Sequence, residues 1–289
     1  MEQYSALSLL RHTTSMLKDV YPPEEIQSLQ RLIFEKKLGL PLHKIYLNPD
    51  DPVNPEKAKI FIDIVSQLKL QKPIQYILGE TDFFGLIFTV NPQVLIPRPE
   101  TEELVNWVVK STNIKYPSIL DIGTGSGCIA ISLAANIDSA KVTAIDKSIE
   151  ALEVARGNSI RNNVKVDLFN VDFLNSSINV PNAPFDIIVS NPPYVRDVEK
   201  EQMKENVLDH EPHLALFVSN SEPLIFYSKI AERASELLFL NGCVYCEINE
   251  AFGNEIYKLF QESGFVDVEI RKDLNGKDRM VKAVWRNGQ

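Results

Sequence analysis

The sequence predicts an α/β fold: a mostly parallel sheet of seven strands with helices between them, preceded by a small helical domain and joined to it by a β-hairpin linker. Three observations carry this. From about Pro117 onward, strand-like apolar runs alternate with helix-like segments, which implies a parallel sheet with crossover helices. Before about residue 75 the apolar spacing is helical and nothing resembles a strand. Between them, residues 81–96 (TDFFGLIFTVNPQVLI) place aromatic and β-branched residues around Asn91-Pro92, as a hairpin does. The boundaries that follow are a helical domain over 1–80, the hairpin over 81–96 and the sheet domain over 97–289.

In the helical part, Glu24–Lys37 follows Pro22-Pro23 and sets Ile26, Leu29, Leu32 and Ile33 on one face. Glu56–Leu70 does the same with Ile60, Ile64, Val65 and Leu68, and Leu7, Leu10 and Leu17 form a looser stripe in a first helix. Pro97-Arg98-Pro99-Glu100-Thr101-Glu102 then opens a helix running to about Lys110. The strands of the sheet are Ser118–Ile122, Val142–Ile145, Val164–Phe169, Phe185–Ser190, Gly242–Ile248, Val266–Arg271 and Arg279–Trp285. The last two form an antiparallel pair around a turn at Gly276. Helices over Cys128–Ala135, Ser148–Arg161, Leu224–Leu238 and Asn254–Glu262 connect them.

At 289 residues the chain has room for one large or two ordinary domains. No apolar run approaches the length needed to span a bilayer. The N-terminus MEQYSALSLLRHTT carries acidic Glu2 and no apolar core, so it does not read as a signal peptide. Three cysteines, an odd and low number, fit a reducing cytoplasm. Residues 1–80 hold ten basic and ten acidic side chains, so the whole net charge of −9 belongs to the remaining 209 residues. A domain with that balance repels a polyphosphate backbone and argues against DNA or RNA as the substrate.

The stretch Ser190-Asn191-Pro192-Pro193-Tyr194 follows the apolar strand Phe185–Val189. Two prolines remove two backbone donors and fix two φ angles, so the strand stops there and leaves a stiff loop at the carboxyl edge of the sheet. Open α/β sheets bind ligands at that edge. The loop offers the Asn191 side-chain oxygen, the Pro192 carbonyl and the ring of Tyr194. Two acceptors of this kind hold the two N–H bonds of a carboxamide or aryl amine, whose lone pair is tied up in conjugation. They stabilise positive charge as that nitrogen attacks a methyl group, and one preorganised polar group of this sort is worth on the order of 3 kcal/mol. A plain Asn-Pro-Pro turn is the competing reading.

Asp121-Ile122-Gly123-Thr124-Gly125-Ser126-Gly127 lies between the first strand and its helix. Its glycine spacing is G-x-G-x-G rather than the G-x-G-x-x-G of dinucleotide folds. A cofactor without a pyrophosphate, such as S-adenosyl-L-methionine, suits it better. Asp146 ends the second strand, where an acid bonds ribose hydroxyls or caps a helix, with Ser148 better placed for capping. Asp172-Phe173 offers a carboxylate and a ring to an adenine. Cys243 and Cys246 form a C-x-x-C inside a strand, which puts them on opposite faces and rules out a shared metal. His210 and His213 lack further nearby ligands for zinc. Glu247 and Glu250, near the end of the fifth strand, read either as catalytic carboxylates or, as such acids more commonly are, as solvated loop acids.

With these residues assembled, the chain resembles the release factor glutamine methyltransferases (the HemK/PrmC family). The likeness covers nearly the whole chain: the helical N-terminal domain with Pro73-Ile74-Gln75-Tyr76-Ile77-Leu78-Gly79, then PRPETE at 97–102, DIGTGSG, Asp146 and NPPY at 191–194. It continues through Glu211-Pro212 with Ala215-Leu216 and the closing Asp273, Gly276 and Arg279. NPPY is shared with adenine-amino methyltransferases acting on DNA or RNA, which are the alternative. PRPETE with the helical domain is narrower. The resemblance implies a seven-stranded Rossmann-like class I methyltransferase domain and methyl transfer from S-adenosyl-L-methionine to the glutamine side-chain nitrogen in the Gly-Gly-Gln motif of peptide chain release factors.

Carried over by position, Asp121, Gly123, Thr124, Gly125, Gly127, Asp146, Asp172, Phe173 and Asn191 bind the cofactor. Asn191, Pro192, Pro193, Tyr194, Arg98 and Glu100 bind the substrate, with Asn191, Pro192 and Tyr194 at the chemistry. The resemblance gives Glu247 no role, since a smaller or glycine-like residue is expected there. Direct in-line transfer is expected, with no metal, no covalent intermediate and no strong general base. The expected partners are release factors, with no nucleic-acid substrate and no membrane, and the protein is expected to be a cytoplasmic monomer.

Overall fold

The computed structural model describes residues 4–175 and 179–286. Glu2, on which the reading against a signal peptide rests, lies outside the described residues. The chain forms two compact units. One runs to Leu78 and takes in the short segment Glu205–His210; the other holds Gly79–Lys204 and the chain from Glu211 onward.

The first unit contains α1 (Ala6–Leu17), α2 (Pro23–Ile33), α3 (Leu42–Leu47), α4 (Pro55–Lys69) and α5 (Ile74–Leu78). Ser5 and Ser8 cap α1 reciprocally, and the Asn54 side chain accepts from the Glu56 and Lys57 N–H groups to start α4. The helix expected over Glu24–Lys37 stops at Ile33. Phe34–Leu38 continue as one π-helical turn, which Gly39 closes at φ 68°. Two of the expected apolar stripes are corrected. In α4, Phe61 takes the buried position and Ile60 is 52% exposed. In α1 the buried residues are Ala6, Leu9, Thr13 and Leu17, while Leu7 and Leu10 are not buried. Thr13 tolerates the core because its hydroxyl donates to the Leu9 carbonyl at 2.9 Å. Phe34 and Phe61 pack at 4.7 Å between ring centres in the middle of this core.

The second unit opens with the hairpin β1 (Glu80–Phe83) and β2 (Leu86–Thr89). Its turn is Phe84-Gly85, at φ 48° and 77°, and not at Asn91-Pro92 as expected. Two central residues of positive φ match the twist of the flanking strands. Asn91-Pro92 instead make a second turn, in which Asn91 accepts from the Gln93 and Val94 N–H groups. After α6 (Pro99–Ser111) come β3 (Ser118–Ile122), α7 (Cys128–Asn136), β4 (Lys141–Asp146), α8 (Ile149–Arg161), β5 (Asp167–Asn170) and β6 (Phe185–Ser190). There follow the small pair β7 (Val195–Arg196) and β8 (Phe217–Val218), with α9 (Glu205–Leu208) between them in sequence. The chain ends through α10 (Ile225–Glu232), α11 (Ala234–Leu237), β9 (Leu238–Glu247), α12 (Gly253–Glu262), β10 (Phe265–Lys272) and β11 (Asp278–Trp285).

Seven strands form one sheet in the order β10-β11-β9-β6-β3-β4-β5, with β11 antiparallel to both neighbours and the rest parallel. Three boundaries differ from expectation. The helix expected over Leu224–Leu238 breaks into α10 and α11, and β9 begins at Leu238 rather than Gly242. The register with β6 shifts between Phe185 and Ile187, and a Cβ on Gly242 would meet the Phe239 carbonyl at 2.9 Å. A bulge there needs glycine. The third strand shrinks from Val164–Phe169 to Asp167–Asn170, because Asn163 turns the chain at φ 55° and the Val164 N–H still bonds back to Ser159.

Alternation along the strands divides the core in two. Ile119, Ile187, Val189 and Tyr245 pack with Leu104, Trp107, Ile129 and Leu133. Leu120, Ile122, Ile188, Val244 and Cys246 pack with Tyr227, Ile230, Ile256 and Phe260. Cys243 packs on the first of these sides and Cys246 on the second, as the period of two requires. The winding runs outward from β3 through β4 to β5, then returns to lay β6 along the other side of β3. The loops after β3 and β6 therefore flank the reversal point, where such sheets bind ligands. Among the described residues no helix is long and apolar enough to cross a membrane.

The two neighbours in α4 make a direct test of the packing. Phe61→Ala is expected to lower unfolding stability by about 3–5 kcal/mol, and Ile60→Ala to leave it within about 0.5 kcal/mol. Urea titrations followed by circular dichroism check both.

Candidate active site

Gly123, Gly125 and Gly127 all lie at positive φ in the loop after β3. Gly127 has a second reason to be glycine: a Cβ there would meet Ile131 Cδ1 at 2.9 Å and Ala155 Cβ at 3.2 Å, so the close approach of α7 and α8 depends on its absence. Four of the loop's amides are already spoken for. The N–H groups of Gly123 and Thr124 donate to the Ile145 carbonyl at 2.9 and 3.0 Å, and that of Gly127 to the Thr124 carbonyl at 2.8 Å. The Gly125 N–H donates to Asp146 Oδ2 at 2.8 Å. A phosphate cradle uses such N–H groups free, and these four are committed within the fold.

Asp146 spans the junction of two loops, its other oxygen accepting from the Ser148 N–H at 2.9 Å. Burial raises its carboxyl, and the N–H donors of Ser148, Gly125 and Lys147 work against that. Asp172 pairs with Lys147 at 2.9 Å, and Phe173 is buried with the Arg233 guanidinium over its ring. Asp121 is fully buried below the glycine bend and accepts from the Thr124 hydroxyl at 2.6 Å. Burial pushes its carboxyl up to about 7 despite that bond.

These groups surround a cavity of about 610 Å³, inside the usual range for small-molecule sites. Of the residues singled out from sequence, Arg98, Gly123, Thr124, Gly125, Asp146, Asp172, Phe173, Asn191 and Pro193 line it, while Glu100, Asp121, Gly127, Pro192 and Tyr194 do not. Sequence reasoning missed Gln93, Val94 and Leu95, which it assigned to the linker, and Phe226. The turn at Asn91-Pro92 brings the first three to the cavity wall, a signal hidden by taking that dipeptide for the hairpin tip. Arg98 Nη2 meets Glu211 Oε1 at 2.5 Å, and the other Glu211 oxygen accepts from the Ile96 N–H at 3.2 Å. With its side chain only 1% exposed, Glu211 ties the strap 96–98 to the wall formed by Pro212–Ala215.

The loop 190–194 is held at both ends. The Ser190 hydroxyl donates to the Ile122 carbonyl at 2.7 Å, and Asn249 Nδ2 donates to the Tyr194 carbonyl at 3.1 Å. Among the described residues nothing donates to the Pro192 carbonyl. Asn191 Nδ2 donates to Thr101 Oγ1 at 3.1 Å, and the Thr101 hydroxyl donates to Glu247 Oε2 at 2.7 Å. The Tyr194 hydroxyl donates to Glu247 Oε1 at 2.8 Å, with the Arg279 charge nearby. Asp273 in turn accepts from Arg279 Nε at 3.2 Å, the turn before β11 supplying two backbone donors to its other oxygen.

The expectation of a solvated Glu247 is therefore corrected: it ends β9 beside β6 and is 1% exposed. An acid closing the apolar strand Gly242–Cys246 was the available signal. Burial raises its carboxyl, while Thr101, Tyr194 and Arg279 lower it. Burial, with Glu247 beside it, holds the Tyr194 phenol well above its ordinary range, so it stays a neutral hydroxyl. Glu250 is exposed and pairs with Lys277 at 2.9 Å. The His213 ring packs edge-on against Phe217 at 5.2 Å.

The sequence matches the family model described as methyltransferase small domain over residues 101–214 and that described as PrmC N-terminal domain over residues 8–79. It is 46% identical to the release factor glutamine methyltransferase of Flavobacterium psychrophilum over 274 residues, covering 93% of this chain and 95% of that protein. The same identity holds over 267 residues with the release factor glutamine methyltransferase of Bacteroides thetaiotaomicron, covering 92% and 95%. Among solved structures, a methyltransferase from Pyrococcus furiosus shares the fold with a TM-score of 0.50 and 23% identity, over 70% of this chain and 90% of that one.

The Asp121 carboxyl, raised from 3.8 to about 7, contributes stability that is complete below the lower value and lost as pH climbs through the upper one. Without ligand, the melting temperature of Asp121→Asn is expected to fall less than that of the parent between about pH 5 and about pH 8. Parallel thermal melts across that range check it.

Proposed function

The chain belongs to the release factor glutamine methyltransferase family, and from that premise we propose that it methylates the glutamine side-chain nitrogen in the Gly-Gly-Gln motif of peptide chain release factors, in the cytoplasm, with S-adenosyl-L-methionine as methyl donor. The observation that carries this reading is the pair of acceptors left open beside the cavity. Asn191 turns its amide nitrogen to Thr101, and among the described residues nothing donates to its oxygen or to the Pro192 carbonyl next to it.

S-adenosyl-L-methionine supplies an electrophilic methyl carried on a sulfonium. The residues present fit it. The satisfied glycine bend asks for no phosphate, the carboxylates of Asp146 and Asp172 suit ribose and adenine, and the buried Phe173 gives the base a face. Asn191 Oδ1 and the Pro192 carbonyl would accept the two N–H bonds of the glutamine amide, holding its plane toward the methyl and supporting the charge that develops on nitrogen. One N–H proton then leaves to water. The helical unit with α1 to α5 is proposed as the part that recognises the substrate protein.

An adenine-amino methyltransferase uses the same tetrapeptide, but the acidic balance of the second unit disfavours a nucleic-acid backbone. A methyl-transfer assay offering release factor, DNA and ribosomal RNA side by side tests the proposal, with label expected on release factor alone.

Asn191→Ala is expected to lower kcat on release factor by on the order of 10²-fold. Asp146→Ala is expected to weaken S-adenosyl-L-methionine binding at least tenfold by titration calorimetry, a readout that needs no turnover. Deleting residues 1–75 should raise KM for release factor more than it weakens cofactor binding; equal losses would assign that unit to packing.

A further inference from the structure

We infer that Thr101 and Glu247 are positioning residues that fix which end of the Asn191 carboxamide faces the cavity, and so set the site's preference for a carboxamide over a carboxylate. This inference rests on the proposed function for the identity of the substrate group, but its geometry stands on this chain alone.

The two ends of an asparagine side chain are alike in shape and opposite in hydrogen bonding, so something must hold the acceptor end inward. The direction of the chain here is set by Glu247, which accepts at both of its oxygens. A carboxylate has acceptors only, so the Tyr194 hydroxyl donates to Glu247 Oε1, 2.8 Å away. The other Glu247 oxygen lies 2.7 Å from Thr101 Oγ1, the separation of a hydroxyl donating to a carboxylate. With its proton spent, the Thr101 oxygen can only accept. The group 3.1 Å from it is Asn191 Nδ2. Every donor in the chain therefore points toward Glu247, and Asn191 is left with its oxygen free.

The consequence is chemical selection. With Oδ1 inward, Asn191 and the Pro192 carbonyl present two acceptors and no donor. A glutamine amide satisfies both; a glutamate carboxylate would face two unpaired acceptors, an arrangement that rejects strongly. If the amide turned over, one acceptor would become a donor and that selection would be lost. Glu247 does not line the cavity and reaches it through Thr101, which does, so its action is indirect.

The test uses the full chain with Thr101→Val, which keeps volume and deletes the hydroxyl, Thr101→Ser, which restores it, and Glu247→Gln. Thr101→Val is expected to lower kcat on release factor about 10- to 100-fold, as loss of an orienting partner does, with KM and the calorimetric Kd for S-adenosyl-L-methionine within about twofold. Thr101→Ser should recover most of the loss, and Glu247→Gln should follow Thr101→Val. In ¹⁵N–¹H spectra the Asn191 side-chain amide should shift in Thr101→Val, while the Gly123 and Gly125 backbone signals stay in place. Wild-type kcat in Thr101→Val, or an unmoved Asn191 amide, overturns the inference. If the parent protein itself fails to methylate release factor, the proposed function falls and the amide spectrum alone decides this point. Should Thr101→Val fail to fold, Glu247→Gln read by the same two measurements carries the test.

Discussion

A buried carboxylate has to be surrounded by donors, because an isolated charge in the interior costs far more than folding can supply. Glu247 imposes that condition on the carboxyl edge of this sheet. Its two oxygens take the hydroxyls of Thr101 and Tyr194, and Arg279 stands behind Tyr194. Those residues come from α6, from the loop after β6 and from β11. One acid therefore draws three distant stretches of chain to a single point. Because each partner is itself committed to a further group, none of them can turn without unmaking its neighbour's bond. Rigidity at Asn191 is thus a property of the network, to which the two prolines contribute only the backbone.

The other half of the site follows from the reversal of winding at β3. Laying β6 back against β3 brings the glycine bend and the asparagine loop side by side, and the Ser190 hydroxyl joins them through the Ile122 carbonyl. The bend then satisfies its own amides with Ile145, Thr124 and Asp146. What remains for a ligand is a largely apolar wall, the ring of Phe173 and the carboxylates of Asp146 and Asp172. Glu211 closes the opposite wall by a similar device, since a buried acid that accepts from Arg98 and from the Ile96 N–H holds two segments 113 residues apart in sequence.

Much of this was legible in the residues. Alternation of strands and helices from Pro117 led to seven strands, with the closing pair antiparallel, and the glycine spacing pointed away from a pyrophosphate before any amide was located. The errors were local ones of a recognisable kind. Asn91-Pro92 was read as the hairpin tip because proline is the louder turn signal, whereas Phe84-Gly85 supplies the two positive φ angles that a tight hairpin needs. Helical spacing with Ile64, Val65 and Leu68 puts Ile60 on the inner face, but the phase of α4 buries Phe61 in its place.

The sequence by itself determined what short range governs: helical and strand periods, proline stops, the glycine bend, and the loop that presents an amide. These depend on steric and hydrogen-bonding rules acting over a few residues. Only the tertiary structure decided that Glu247 is an interior anchor rather than a solvated acid, that Tyr194 turns its hydroxyl toward that acid and away from the cavity, and which end of Asn191 is free. The reason is physical. Burial and donor direction are set by partners 53 to 146 residues away in the chain, and no local pattern records the distance between groups that meet only when the sheet is wound.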